Sequence, residues 1–177
     1  MRLVVFGASG ATGRHVVCLG ISRRTRSPFA PLVSPSDLTS RSVATIVPAM
    51  QHAGVRRIVY VSAFGAGDSW YRIPWWGRAF LRVSQVRYAM ADHTRSEEIL
   101  SASALQWTSL RPMLLDDSPS TLAAREMQPG DSLLAKLSRE SLARTILAAL
   151  GDRSTYGRAV PLVPTVTGNA SLRRNQT

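Results

Sequence analysis

Residues 2–13 read RLVVFGASGATG, a short apolar run that stops at Gly7-x-x-Gly10-x-x-Gly13. Continuous hydrophobics are what a strand buried on both faces of a parallel sheet needs, and residues 2–6 supply them. Glycines at this spacing let the backbone turn tightly and approach a phosphate. The helix expected from Gly13 onward would present unpaired N–H groups and a partial positive charge. The segment therefore reads as a pyrophosphate cradle. Gly7, Gly10 and Gly13 give the backbone its freedom, Ser9, Ala11 and Thr12 offer N–H groups, and Ser9 and Thr12 add hydroxyls. The plainer alternative is a strand–turn–helix corner whose glycines serve packing. The strand placed just before the glycines favours the cradle.

Outward from this segment, strands and helices alternate. Residues 16–20 (VVCLG) fit either a continued helix or a short strand, and residues 21–36 are a Pro/Ser/Arg loop. Asp37 is placed to cap a helix over 38–53 that Gly54 closes, with Val43, Ile46, Val47 and Met50 on one face. Val55–Ser62 is a strand, and 63–73 a glycine-containing loop. One long helix is expected over 75–102, after Pro74. Residues 106–111 form a strand stopped by Pro112, and 114–136 read as irregular. Ser138 caps a helix to Leu150, and Arg158–Leu162 is a final strand, placed at a sheet edge because Pro161 cannot donate. Alternation of this kind points to a parallel sheet covered on both faces. We expect one domain over 1–166 and a loose polar tail over 167–177.

Composition narrows the classes. Hydrophobic residues make up 45% and charged residues 19% of the 177, which fits a folded globular chain. No apolar run approaches the roughly 20 residues that span a bilayer. Arg2 is followed by only a short apolar stretch, unlike a secretory leader, so a cytoplasmic location is expected. Cys18 is alone, and no His/Cys/carboxylate spacing suggests a metal. The net charge is +11, from 21 Arg and one Lys. Nucleic acid, anionic lipid or a polyphosphate ligand would be attracted by it. The arginines are scattered from Arg2 to Arg174 without long blocks, so diffuse surface charge is the simpler account and a nucleic-acid partner is not expected.

Three passages carry a resemblance: VVFGASGATGRHVV, GVRRIVYVSAFGAGDS and EEILSASALQWTSLRP. Together and in this order they resemble the atypical short-chain dehydrogenase/reductases, in the NAD(P)H-binding group of NmrA-like regulators and flavin- or biliverdin-reductase-like enzymes. The resemblance implies an α/β, Rossmann-like, doubly wound parallel sheet. It also implies a departure. The group carries a second and third strand between the first helix and the fourth strand, whereas only Arg14 and His15 separate Gly13 from VVCLG here. The sheet is thus expected to be incomplete, with the second and third strands missing. The ribose-reading residue that normally ends the second strand is missing with them. An uncovered flank of the first strand would favour oligomerisation, and a homo-oligomer is one expectation.

The same resemblance supplies candidate site residues. Ser62, at the end of its strand, stands where relatives place a serine near the nicotinamide; a turn residue opening the loop is the alternative. The Tyr-x-x-x-Lys pair of the wider class is absent, since Phe64, Trp75, Asp92 and Val160 stand four beyond the tyrosines. His93 occupies the position where many relatives carry Lys, and could hold ribose or act as an acid; an ordinary helix histidine is the alternative. Arg111 and Pro112 end a strand whose following loop covers the nicotinamide in this group; a salt bridge and a strand stop are the alternative. Residues 70–87 mix Trp70, Trp75 and Trp76 with Arg72, Arg78, Arg82 and Arg87. A lid, a lipid-surface helix or a nucleic-acid contact would suit them, and a substrate-side wall or dimer face is preferred.

The function implied is an NAD(P)H-binding oxidoreductase-like protein that reduces a small carbonyl, quinone or flavin-type substrate by hydride transfer. NADP is favoured over NAD by the resemblance and the arginine content. The alternatives are a non-catalytic NAD(P)-sensing regulator and an inactive deletion remnant of a reductase.

Overall fold

The structure, a computed structural model, describes residues 27–165. The expected first strand, the glycine-rich residues 7–13, the arginines 23, 24 and 26, and the tail lie outside the described residues.

The chain runs α1 (Leu38–His52), β1 (Arg57–Val61), a 3₁₀ turn (Gly67–Arg72), α2 (Trp75–Val83), α3 (Val86–Ser101) and β2 (Gln106–Pro112). It continues through β3 (Leu114–Asp116), β4 (Arg125–Glu126), β5 (Lys136–Ser138), α4 (Arg139–Gly151), a 3₁₀ turn (Arg153–Thr155) and β6 (Arg158–Val163). The described residues form a four-stranded sheet in the order β1-β2-β6-β4, and a two-stranded parallel sheet of β3 and β5. β1, β2 and β6 are parallel, with Tyr60 beside Ser109 and Ser109 beside Ala159.

Alternation along the strands sorts two cores. On one face Tyr60, Ile58 and Trp107 meet Val43, Val47 and Met50 of α1 and Leu100 of α3. On the other, Val59, Val61, Leu110, Val160 and Leu162 meet Leu142 and Ile146 of α4. Helices therefore cover both faces of a parallel sheet. The architecture is Rossmann-like and doubly wound, with fewer strands among the described residues than the full fold carries.

Local departures from the sequence reading have physical causes. The single helix expected over 75–102 is broken at Ser84–Gln85. Ser84 is fully buried and extended, and its Oγ donates to the Leu81 carbonyl, while the Gln85 N–H donates to the Pro28 carbonyl. Serine diverted to a backbone carbonyl competes with helix continuation. β6 is not an edge strand, because β4 pairs antiparallel on its outer side. Pro161 is accommodated there because one residue's N–H and C=O point the same way: its carbonyl accepts from the Met127 N–H, so the missing donor faces the two-residue β4 and not β2. Residues 114–138, read mostly as irregular, contain three short strands. Ser138 caps α4 as expected, its Oγ accepting from the Ser141 N–H.

The start of α1 is capped from a distance. Asp37 makes no side-chain cap hydrogen bond. The Asp92 carboxylate of α3 instead accepts from the Thr39 N–H at 2.8 Å and the Ser40 N–H at 3.0 Å. Burial opposes ionisation of Asp92, but hydrogen bonds from Ser40 and Thr39 outweigh it and hold its carboxyl below the ordinary range. Its contribution to stability is therefore complete above the unfolded-state pKa near 3.8 and is lost as pH falls through the lower folded value. We predict that Asp92→Ala costs about 1–2 kcal/mol in urea unfolding at neutral pH, and Asp92→Asn less. Asp37→Ala should change stability far less.

Candidate functional site

Ser62 and Tyr60 are two residues apart and share one face of β1, the face covered by α3. Strand pairing continues past β1: the Ser62 N–H donates to the Leu110 carbonyl at 2.8 Å, and the Phe64 N–H to the Pro112 carbonyl at 2.9 Å. Ser62 is thus fixed at the carboxyl end of its strand, only 4% exposed. Its Oγ makes no hydrogen bond among the described residues. A buried hydroxyl left unpaired is costly, and native structures rarely keep one without a use.

His93 comes from α3. Its Nδ1 lies 2.6 Å from the Tyr60 hydroxyl, and the two rings are tilted with centroids 5.9 Å apart. Burial pushes the imidazole pKa down, against the opposing pull of the Asp92 and Glu97 carboxylates. The ring is therefore held neutral at pH 7, able to accept at one nitrogen and donate at the other.

Arg111 is nearly buried and fully engaged. Its Nε donates to Glu97 Oε1 at 2.9 Å, Nη2 to Glu97 Oε2 at 2.6 Å, and Nη1 to Asp68 Oδ1 at 2.6 Å. Desolvation would lower its pKa, but hydrogen bonds to Glu97 and Asp68 outweigh this and raise it. Ser109 Oγ also donates to Glu97 Oε1 at 2.6 Å. The pair ties β2 to α3 and, through Asp68, to the turn after β1. Gly67 is required at that turn: its φ is +54°, and a Cβ there would lie 2.6 Å from Arg111 Nη2. Its N–H donates to Thr94 Oγ1 of α3. Pro112 is buried at the end of β2 and contributes its carbonyl to the Phe64 pairing.

An open cleft of about 400 Å³ lies beside α3, lined in part by Asp68, Thr94, Trp107 and Arg158. Neither Ser62 nor His93 lines it. Most of its charges are already paired, Arg111 with Glu97 and Asp68, and Arg158 with Glu126. We therefore place the candidate site at the end of β1.

The structure thus brings His93 against β1, on the face that carries Ser62, and places Arg111 one strand away in the buried pair. The residues of the glycine cradle lie outside the described residues. For a dinucleotide cofactor, the fit on the described side is the unspent Ser62 hydroxyl. Tyr60, Glu97, Asp68 and Thr94 were not singled out from the sequence. Tyr60 was within reach, because period two from Ser62 puts it on the same face. Glu97 had a weaker signal, one helical turn after His93.

The sequence profile of the NAD(P)H-binding family matches residues 25–153. The chain belongs to that family. It is 31% identical over 122 residues to YhfK of Bacillus subtilis (strain 168), named an uncharacterized sugar epimerase, covering 67% of this chain and 50% of that protein. The chain thus spans about half the length of that curated relative. Among solved structures it is similar to ChuY, named an anaerobillin reductase, from Escherichia coli O157:H7. The TM-score is 0.59 at 24% identity, over 73% of this chain and 59% of that one. It is also similar to a short-chain dehydrogenase/reductase (wide type) from Veillonella parvula DSM 2008, in complex with NADP. That TM-score is 0.58 at 19% identity, over 75% of this chain and 61% of that one. At such identities the likeness establishes the Rossmann-like fold. No described helix is long and apolar enough to cross a membrane.

Two stability predictions follow from the geometry. Replacing Glu97 by Ala strands a buried guanidinium and should cost about 3–5 kcal/mol in chemical denaturation. Asp68, 87% exposed against 4% for Arg111, should matter much less, with Asp68→Asn costing under about 1 kcal/mol. The lowered His93 pKa gives the second. Between its folded value and 6.5 the unfolded chain binds a proton that the folded chain does not. The His93 contribution is complete above 6.5 and declines as pH falls below it. In urea unfolding as a function of pH, His93→Gln should remove the part of the slope lying just below 6.5.

Proposed function

We propose that the chain is an NAD(P)H-dependent oxidoreductase acting in the cytoplasm, reducing a small carbonyl, quinone or flavin-type substrate by hydride transfer, with NADPH preferred. The observation that carries this reading is the buried Ser62 hydroxyl, unpaired among the described residues, at the carboxyl end of a parallel strand. In open α/β sheets ligands lie beyond the carboxyl ends of the strands. When bound, the dinucleotide supplies the hydride, and the protein supplies orientation and electrostatics.

In this reading Gly7, Ser9, Gly10, Ala11, Thr12 and Gly13 hold the pyrophosphate through backbone N–H groups. Ser62 donates a hydrogen bond to the substrate oxygen on which charge develops. His93, held neutral, orients the Tyr60 hydroxyl or holds ribose. Arg111 and Pro112 work through the backbone and the loop they fix near the nicotinamide. The name of ChuY as a reductase and the NADP in the Veillonella structure support reductase chemistry and NADPH. The name of YhfK adds sugar substrates to the set worth screening. A second reading is a dinucleotide sensor without turnover, which the absent Tyr-x-x-x-Lys pair favours.

The test is a titration of the full chain with NADPH and NADH, followed by nicotinamide fluorescence and thermal shift. We expect saturable binding, tighter for NADPH and abolished by Gly10→Asp. Turnover of a quinone or flavin should then fall about 10²-fold in Ser62→Ala, with the melting temperature no lower than that of the wild type. Binding without consumption of any substrate would select the sensor. A cooperatively melting protein that binds neither cofactor at millimolar concentration would overturn both and select the deletion remnant.

A further inference from the structure

α2 differs from every other α-helix among the described residues in burying none of its side chains. Its inner side is set by Gly77, where a Cβ would come within 2.8 Å of Ile73 Cγ2. Its outer side carries Trp75, Trp76, Ala79, Phe80 and Val83, all exposed. At 3.6 residues per turn these five positions span an arc of about 140°. Trp75 is 75%, Trp76 58% and Val83 67% exposed. Phe29 extends the patch, its ring edge-on to Phe80 at 5.8 Å and itself exposed. Apolar residues gathered at one place on a surface call for a partner, whereas scattered ones do not.

Along the segment that carries this face the charge has one sign. From Ser69 to Ala91 there is no Asp or Glu, and Arg72, Arg78, Arg82 and Arg87 all fall within that span. On the helix, Arg78 and Arg82 lie to one side of the apolar arc. Arg82 stacks over the Trp70 ring at 5.6 Å.

We propose that α2 is an interfacial helix that docks this protein on an anionic lipid surface, with Trp75, Trp76, Phe80 and Val83 entering the headgroup region and the arginines meeting lipid phosphates. Tryptophan suits that depth, since its ring is apolar and its N–H stays hydrogen-bonded. An aromatic and aliphatic face beside arginines is the composition of helices that lie in the interface plane. A second copy of the chain is disfavoured. A two-fold contact through this face would leave the arginines of both copies with no acid on the segment to pair them. A nucleic acid would take the arginines but leave Ala79, Phe80 and Val83 in water. This inference stands apart from the cofactor reading, because no residue of α2 belongs to the candidate site.

The experiment uses the full chain with vesicles of phosphatidylcholine alone, or with about three parts in ten phosphatidylglycerol. Flotation, tryptophan emission and sedimentation velocity are the readouts. We expect flotation with the anionic vesicles only, a blue shift in emission, and weakening in about 0.5 M salt. Trp75→Ser with Trp76→Ser should reduce binding by about tenfold or more, with circular dichroism unchanged because both positions are exposed. Arg78→Gln with Arg82→Gln should weaken binding and flatten its salt dependence. Failure of the folded wild-type chain to float with anionic vesicles overturns the proposal. So does binding that the tryptophan pair leaves intact. Tryptophan-dependent dimerisation, or tryptophan-dependent binding of single-stranded DNA in place of vesicles, would assign the face to a different partner and also overturn it.

Discussion

The Glu97–Arg111 pair is the interaction on which the rest of this arrangement depends. Both side chains are almost wholly buried, and the sheet cannot close over either charge alone. Moving a lone carboxylate or guanidinium from water into the interior costs several kcal/mol even after relaxation. The pair offsets this only because its geometry is complete. Two parallel N–H···O bonds join guanidinium and carboxylate, and Ser109 occupies a further carboxylate lone pair. What such a pair contributes above an apolar replacement is register more than net stability. Here it fixes β2 against α3 in one relative position, and Asp68 extends the constraint to the turn that follows Ser62.

The constraint is concentrated in one stretch of α3. Asp92 caps α1, His93 bonds to Tyr60 of β1, Thr94 accepts from the Gly67 turn, and Glu97 holds β2. A helix packed on a sheet normally buries hydrocarbon, and α3 does so at Leu100. One turn earlier it buries polar groups that each reach a different element. The price of that choice is desolvation, visible in the downward pull on His93. The return is that the groups around the end of β1 are held by several directional bonds, which tolerate displacement less well than apolar contacts do.

The sequence disclosed the elements well where apolar periodicity is strong. The face of Val43, Val47 and Met50 located α1 to within a residue at its carboxyl end. Serine at a strand–helix junction located the start of α4. Partners were less legible. Asp37 looked like a cap because it immediately precedes a helix, yet the helix takes its cap from a residue far along the chain. The break at Ser84–Gln85 was hidden because nothing but tertiary contacts stops that helix: Ser84 turns inward and Gln85 reaches Pro28. Short strands such as β4 and β5 carry too few residues for a period to show. Of the candidate site, Ser62 and His93 were reached through resemblance to a family; a salt bridge at Arg111 was one of two readings of the sequence, and only its partners are a three-dimensional fact. The two acidic groups that pair with Arg111, Glu97 and Asp68, do not stand out among the 11 in the chain until the fold brings them there.

The direction of the strands gives the candidate site its orientation. β1, β2 and β6 all run the same way, so Ser62, Pro112 and the end of β6 emerge on one side of the sheet. In the strand order β1 is terminal among the described residues, so β2 and its loop flank Ser62 on one side. A ligand crevice of an open α/β sheet has two walls, and they meet where the strand order reverses. In the proposed reading the second wall falls to the glycine-rich residues 7–13, which lie outside the described residues. The chemistry suited to it, close backbone approach and exposed N–H groups, is what Gly7, Gly10 and Gly13 encode. The family match at 25–153 covers the first wall and its supporting helix but not that glycine run. In the proposed reading, cofactor affinity depends on that glycine run as much as on the matched segment.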